Sequence, residues 1–257
     1  MSTLPSSTPL NQRPRAIIIG ASSGIGEALA RHLAREGYVL ALLARRKDRL
    51  EHISGELNLG FGETRVTNYE HDVTDYAAVP ALFQQIHRDL RGLDLVVYNA
   101  GVLEPVGMSE FDFEKDKKMV DINLLGAMAW LGEAARFFEQ AETGHIVGIS
   151  SVAGDRGRVG NPGYNASKAG LTTYLEALRN RLTRHGVTVT TIKPGPVETI
   201  MTEGLEPPFI IPPAQAAREI AHAINKRNQT RYVPLIWMPI MHIIRHIPSF
   251  IFRRLSF

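Results

Sequence analysis

Cysteine is missing altogether from this 257-residue chain. That absence excludes a disulfide framework, a thiolate metal site and a cysteine nucleophile, and it fits a reducing compartment. Charge in excess is scarce too: 29 Lys and Arg against 26 Asp and Glu leave a formal net charge of +3. So small a surplus builds no broad field for nucleic acid, and no nucleic-acid partner is expected. The opening MSTLPSSTPLNQRP is rich in Ser, Thr and Pro and lacks the apolar stretch of a secretory signal. Residues 1–13 therefore read as a flexible tail, and the cytoplasm is the expected location. What is present, 44% hydrophobic and 21% charged residues, suffices for one large domain with a single core.

From Arg15 onward, short β-branched or apolar runs alternate with helical patterns. The runs are AIII (16–19), VLALLA (39–44), TRVTNY (64–69), LDLVVY (93–98), HIVGIS (145–150) and VTVTTI (187–192). Several are apolar throughout, as in strands covered by helices on both faces. Between them 27–36, 79–90 and 169–185 carry apolar residues at helical spacing. This βαβ rhythm predicts an α/β fold, an open, doubly wound parallel sheet of Rossmann type with right-handed crossovers. A catalytic domain over 14–235 is expected, followed by an apolar helical extension over 236–257.

Directly after the first run stands Gly20-Ala21-Ser22-Ser23-Gly24-Ile25-Gly26. Glycines between a strand and a helix let the backbone turn sharply and approach a pyrophosphate, which the helix N-terminal amides stabilise. The spacing is G-x-x-x-G-x-G, not the G-x-G-x-x-G of the common dinucleotide fingerprint. An NAD site places a carboxylate at the end of the second strand, whereas VLALLA runs into Arg45-Arg46-Lys47. A guanidinium suits a 2′-phosphate through charge-assisted, two-pronged hydrogen bonds. NADP(H) is therefore expected in preference to NAD(H), with Arg45 and Arg46 as candidate contacts.

Tyr164 and Lys168 stand at i and i+4 of one helical pattern and share a face. A phenol titrates near 10, and a nearby ammonium favours its ionised form, so the lysine has a chemical task beside the tyrosine. The same spacing also arises in ordinary amphipathic helices. Here Ser150-Ser151 ends a predicted strand shortly before Tyr164, and strand ends open on the ligand crevice of such sheets.

In order and spacing, HIVGISSVAGDRGRVGNPGYNASKAG resembles the active-site segment of the classical short-chain dehydrogenase/reductase family, as does the glycine spacing at 20–26. Tyr98-Asn99-Ala100-Gly101 and Asn123 in VDINLLGA match two further motifs, and the resemblance spans roughly residues 14 to 200. It implies a catalytic set of Asn123, Ser151, Tyr164 and Lys168, with Ser150 belonging to the strand end. It implies that Asp72 and Val73 meet the adenine, although Asp72 also reads as a capping turn residue. Asn99 would brace the central sheet beside Ala100 and Gly101. Asn123 would support a water-linked proton relay near Lys168, while from the residues alone it reads as a helix position satisfying local backbone groups. Pro194, Gly195, Val197 and Thr199 would lie beside the nicotinamide, and Lys168 would also hold its ribose. The activity implied is hydride transfer between the nicotinamide and a carbonyl or secondary alcohol. Two other classes stay open: a nucleotide-sugar epimerase or dehydratase, and an NADP-binding regulator without turnover.

The stretch IMTEGLEPPFIIPP (200–213) reads either as a flap over a hydrophobic, lipid-like substrate or as a packed connector. The last segment, VPLIWMPIMHIIRHIPSFIFRRLSF (233–257), is dominated by apolar and aromatic residues but interrupted by arginines and by Pro239 and Pro248. It is too broken for a spanning helix, which needs about 20 mainly apolar residues. Two occupants are open: a subunit interface in a homodimer or homotetramer, or a peripheral membrane surface.

Overall fold

The computed structural model describes residues 10–204 and 206–255. Residues 1–9 of the expected tail, Leu205 of the expected flap, and Ser256 and Phe257 lie outside the described residues. Leu10–Gln12 form a short 3₁₀ turn. Arg13 is buried and pairs with Glu63 at 2.7 Å.

The strands are β1 (Arg15–Ile19), β2 (Val39–Ala44), β3 (Val66–Glu70), β4 (Leu95–Tyr98), β5 (His145–Ile149), β6 (Thr188–Pro194) and β7 (Thr230–Val233). All pair in parallel, in the order β3-β2-β1-β4-β5-β6-β7. The six expected strands are there, and β7 adds an edge strand that the sequence reading did not anticipate. Its TRYV is short and half polar, so it lacks the apolar run that marks the others. Partner β6 decides its state, with Ile192 registered against Arg231 and Pro194 against Val233.

The helices are α1 (Gly24–Arg35), α2 (Lys47–Phe61), α3 (Val79–Leu90), α4 (Phe113–Val120), α5 (Gly126–Ala141), α6 (Pro162–Leu182), α7 (Pro213–Asn225), α8 (Trp237–His246) and α9 (Ser249–Phe252). Because successive strand residues point to opposite faces, the unbroken apolar strands serve two cores. Ala16, Ile18, Leu40 and Leu42 join Leu29 and Leu33 of α1, Ile53 of α2 and Ile220 of α7. Ile17, Ile19, Ala41 and Leu43 join Phe83 of α3, Trp130 and Phe138 of α5 and Leu175 of α6. Each large side chain so buried contributes about 1.5–3 kcal/mol.

The chain reverses its direction of winding between β1 and β4, and an open α/β sheet forms its ligand crevice at that point, outside the strands' carboxyl ends. The turns after β1, β4, β5 and β6 all open there. Beyond β7, the C-terminal segment folds back over the same end. Arg156, in the β5–α6 loop, donates to the carbonyls of Ile244 and Ile247, each at 2.6 Å. Its guanidinium also lies 3.8 Å from the centre of the Phe252 ring. Asp155 beside it pairs with buried Lys193 of β6 and accepts from the Tyr232 hydroxyl of β7 at 2.6 Å.

Candidate active site

The β1–α1 turn leaves no room for a side chain at Gly20 or Gly26. Gly20 has a φ of +87°, and a Cβ built on it would stand 2.5 Å from the Ala100 nitrogen. A Cβ on Gly26 would stand 2.1 Å from the Gly20 carbonyl oxygen. Asn99 Nδ2 donates to that oxygen at 2.8 Å, tying the end of β4 to the turn. The first amides of α1 have no acceptor within the helix, which makes its N-terminus a place for an anion.

The two arginines after β2 take different partners. Arg46 Nη2 donates to Ser22 Oγ at 2.9 Å and Ser23 Oγ at 2.6 Å, placing its charge at the glycine turn. Arg45 Nη1 lies 3.6 Å from Asp72 Oδ2, and both side chains are exposed. An exposed pair of this kind is held weakly, by about 0–1 kcal/mol. Burial opposes the Asp72 charge, but donation from the Thr74 amide and hydroxyl and the nearness of Arg45 outweigh it, and the carboxyl titrates below its ordinary value.

At the ends of β5 and β6 the two serines divide. Ser150 Oγ donates to the Lys168 carbonyl at 2.9 Å and meets Thr172 Oγ1 at 2.8 Å, so it is committed to α6. Ser151 caps the next 3₁₀ turn, accepting from the Ala153 amide at 3.1 Å. Tyr164 and Lys168 share a face of α6, with Lys168 Nζ 5.8 Å from the centre of the Tyr164 ring. That ammonium donates to the Ile149 carbonyl at 2.9 Å, and burial pushes it down to about 8. The Tyr164 phenol is pushed up by burial, against the downward pull of a hydrogen bond with Ser151 and of the Arg158 charge. The expected downward influence on the phenol thus comes from Ser151 and Arg158, while Lys168 is turned toward the β5 carbonyl.

Asn123 sits fully buried in a π-helical turn, Asp121–Leu125, between α4 and α5. Its Oδ1 accepts from the Val102 amide at 2.7 Å, and its Nδ2 donates to the Val102 carbonyl at 2.9 Å and Ser167 Oγ at 3.1 Å. A helix register opened by one residue is a frequent accompaniment of functional sites. A Cβ on Gly101 would stand 3.2 Å from Asn123 Oδ1 and 3.3 Å from Lys168 Nζ. The glycine therefore lets β4, α5 and α6 converge.

One cleft of about 850 Å³ runs from the Arg45–Arg46 end past the glycine turn to Ser151, Tyr164 and Lys168. With that geometry in hand, the family comparison is decisive: the sequence model described as short chain dehydrogenase matches residues 14–208. The chain belongs to the short-chain dehydrogenases.

As a short-chain dehydrogenase it is 32% identical over 247 residues to an uncharacterized oxidoreductase of Mycobacterium tuberculosis, covering 95% of this chain and 98% of that one. Among solved structures it resembles a short-chain dehydrogenase from Sphingobium yanoikuyae in complex with NADPH. That match has a TM-score of 0.79 at 26% identity and covers 92% of this chain and 97% of the other. An actinorhodin polyketide ketoreductase variant with NADPH matches with a TM-score of 0.78 at 27% identity, over 88% of this chain and 97% of that one.

Of the residues singled out from the sequence, all but two line the cleft, Ala100, Val73, Pro194, Gly195, Val197 and Thr199 included. The exceptions are Gly26, packed beneath the turn, and Asn123, packed behind Lys168. Several cleft residues escaped the sequence reading, among them Glu104, Arg158 and Trp237. A Cβ on Gly195 would stand 2.0 Å from Trp237 Nε1, so the indole of α8 lies directly on the β6 exit. Its Nε1 is buried without a hydrogen-bond partner. Phe209 meets this indole edge-on, with ring centres 6.0 Å apart. The 200–213 stretch thus packs on the C-terminal helix, and Ile200, Met201, Pro207 and Trp237 line the cleft mouth together.

Proposed function

We propose that this short-chain dehydrogenase transfers hydride between NADP(H) and a carbonyl or secondary alcohol on a largely hydrophobic substrate. The observation that carries the reading is the single cleft joining the glycine turn and Arg46 to Ser151, Tyr164 and Lys168. The residues suit the dinucleotide: the tight glycine turn, the α1 amides and the Ser22–Ser23–Arg46 cluster fit phosphates. Arg45 and Arg46 supply the charge for a 2′-phosphate, Asp72 and Val73 flank the adenine end, and Pro194, Gly195, Val197 and Thr199 the nicotinamide end. Bound there, the nicotinamide supplies or takes up the hydride.

Ser151 and Tyr164 polarise the substrate oxygen, and Tyr164 delivers the proton. Burial keeps that phenol protonated near neutrality, the state a proton donor needs. Lys168, softened to about 8, replenishes the proton, and Asn123 holds the β4 exit and α6 at fixed spacing behind it. Apolar Ile200, Met201 and Trp237 at the mouth favour a hydrophobic substrate body. NADPH oxidation with a ketone panel graded by chain length, repeated with NADH, tests the reading. No turnover with any ketone would sink it in favour of a regulator, and turnover only of nucleotide-sugars would favour the epimerase class.

The C-terminal apolar face carries a second proposal, contact with an anionic lipid surface. Ile236, Met238, Ile243, Phe250 and Ile251 are exposed on it, and residues 233–257 hold Arg245, Arg253 and Arg254 but no Asp or Glu. Two such cationic faces would repel one another across a two-fold axis, whereas anionic headgroups complement them. No helix among the described residues is long and apolar enough to cross a membrane. Sedimentation with phosphatidylglycerol vesicles, lost in Ile243→Glu/Phe250→Glu, is the expected result; no vesicle binding, with loss of an oligomer in the variant, would assign the face to a subunit contact.

A further inference from the structure

The charges lining the cleft have partners, with one exception. Arg45 lies beside Asp72, Arg46 is engaged by two serine hydroxyls, and Lys168 by the Ile149 carbonyl. Of the carboxylates, Asp72 is held by Thr74 and Arg45, and Glu104 by Lys118 at 2.6 Å. Arg158 lines the cleft from the loop between Ser151 and Tyr164. Among the described residues its guanidinium has no hydrogen bond and no ion pair; only its backbone carbonyl is engaged, accepting from Asn165 Nδ2 at 3.4 Å.

This cation is partly withdrawn from water, and burial lowers its pKa from the ordinary guanidinium value. A desolvated charge without a counter-ion is costly in a folded protein. Its charge acts on the Tyr164 phenol, and it lines the cleft from the loop that joins Ser151 to Tyr164. That places the guanidinium at the substrate end of the cleft, away from the Arg45–Arg46 end. A planar guanidinium held at the edge of water binds carboxylate and phosphate oxygens through two parallel hydrogen bonds.

We propose that Arg158 is the receptor for an anionic group, a carboxylate or phosphate, carried by the substrate close to its reacting carbonyl. The substrate is then an amphiphile: an apolar body against Trp237, Met201 and Ile200, and an anionic group on Arg158. The inference rests on the oxidoreductase reading above and sharpens its substrate class. Arg158 acts as a specificity residue through this contact, and its charge beside Tyr164 is satisfied when the substrate arrives.

The test separates binding from turnover. NADPH-loaded enzyme is titrated calorimetrically with a medium-chain alkanoate, the matching alkyl phosphate and the matching primary amide. In parallel, an oxo-alkanoate and its methyl ester are compared as substrates. The expected result is that wild type prefers an anion to the amide and that Arg158→Gln weakens the anion about tenfold or more while leaving the amide unchanged. Arg158→Lys restores part of the loss. The better anion of the two identifies the group. Equal binding of anion and amide by wild type would overturn the proposal, as would a Gln variant that slows the oxo-alkanoate and its ester alike, since that pattern belongs to an effect on Tyr164 alone. Failure of the oxidoreductase reading looks different: neither the oxo-alkanoate nor its ester would oxidise NADPH.

Discussion

The two ends of the cleft are built in opposite ways. At the glycine-turn end, backbone meets backbone: Gly20, Gly26 and Ala100 stand so close that a single methyl has nowhere to go, and the Asn99 amide ties the turn to β4. At the substrate end, side chains from distant segments lean on one another. Ile200, Met201 and Trp237 make an apolar mouth backed by Phe209, and Arg156 pins α8 to the β5–α6 loop through the Ile244 and Ile247 carbonyls and α9 through the Phe252 ring. A site for an invariant dinucleotide can be rigid, whereas a site for a particular substrate is set by replaceable side chains on loops.

The comparison breaks most sharply at the junction of the two ends. Tyr164→Phe removes the proposed proton donor, and turnover should fall by roughly 10²–10⁴-fold while NADPH binding, followed by fluorescence, stays close to wild type. Substantial residual activity in the folded variant would take Tyr164 out of its role. Next comes the rigid end itself. Gly26→Ala should cost about 3 kcal/mol or more, because backbone atoms of the turn cannot give way, seen as a lowered Tm and lost NADPH binding. Gly157→Ala, with nothing within 4 Å of its added methyl, should change Tm little; equal effects would erase the distinction.

A smaller effect is expected at the 2′-phosphate. Arg46→Ala should weaken NADPH by about 1.5–3 kcal/mol, the range of a charged hydrogen bond, and NADH much less; Arg45→Ala should do the same to a lesser degree, since Asp72 shares that side chain. Parallel loss of both cofactors would contradict the assignment. The pH profile should show the same polarity as the phenol. A pKa raised by burial keeps Tyr164 protonated through neutrality, so carbonyl reduction should hold steady there and alcohol oxidation, which needs the phenolate, should climb with alkaline pH. Reduction that already declines on the acid side of neutrality would tell against a raised phenol. The least effect is expected on the outer face of α8, where Ile243→Glu should leave stability within about 0.5 kcal/mol.

Legibility followed the same divide. The glycine turn could be read because tight backbone approach admits only one residue type, and that requirement is written locally. Tyr164 and Lys168 could be paired because four residues on a helix bring side chains to one face. The separate fates of Ser150 and Ser151 were assigned by family resemblance, and the contacts of Ser150 with Lys168 and Thr172 supply the physical counterpart. Edge strand β7 had no apolar run to announce it. Arg158 looked like any loop arginine, since the lack of a counter-ion among the described residues is a fact of three-dimensional surroundings. Trp237 belonged to a stretch whose apolarity demanded burial somewhere without saying where. The 200–213 stretch packs on α8 through Phe209, and its Ile200, Met201 and Pro207 line the cleft.

By itself, then, the sequence determined the parallel α/β sheet, the glycine turn after β1, the cations after β2 and the shared helix face of Tyr164 and Lys168, because each depends on spacing within one segment or on a backbone that only glycine permits. Tertiary structure alone decided that Asn123 packs behind the cleft, that α8 lays its indole on Gly195, and that the Arg158 guanidinium lines the cleft with no hydrogen bond or ion pair among the described residues. Those are contacts between residues tens of positions apart, and their energy comes from packing and charge neighbourhoods that no local pattern encodes.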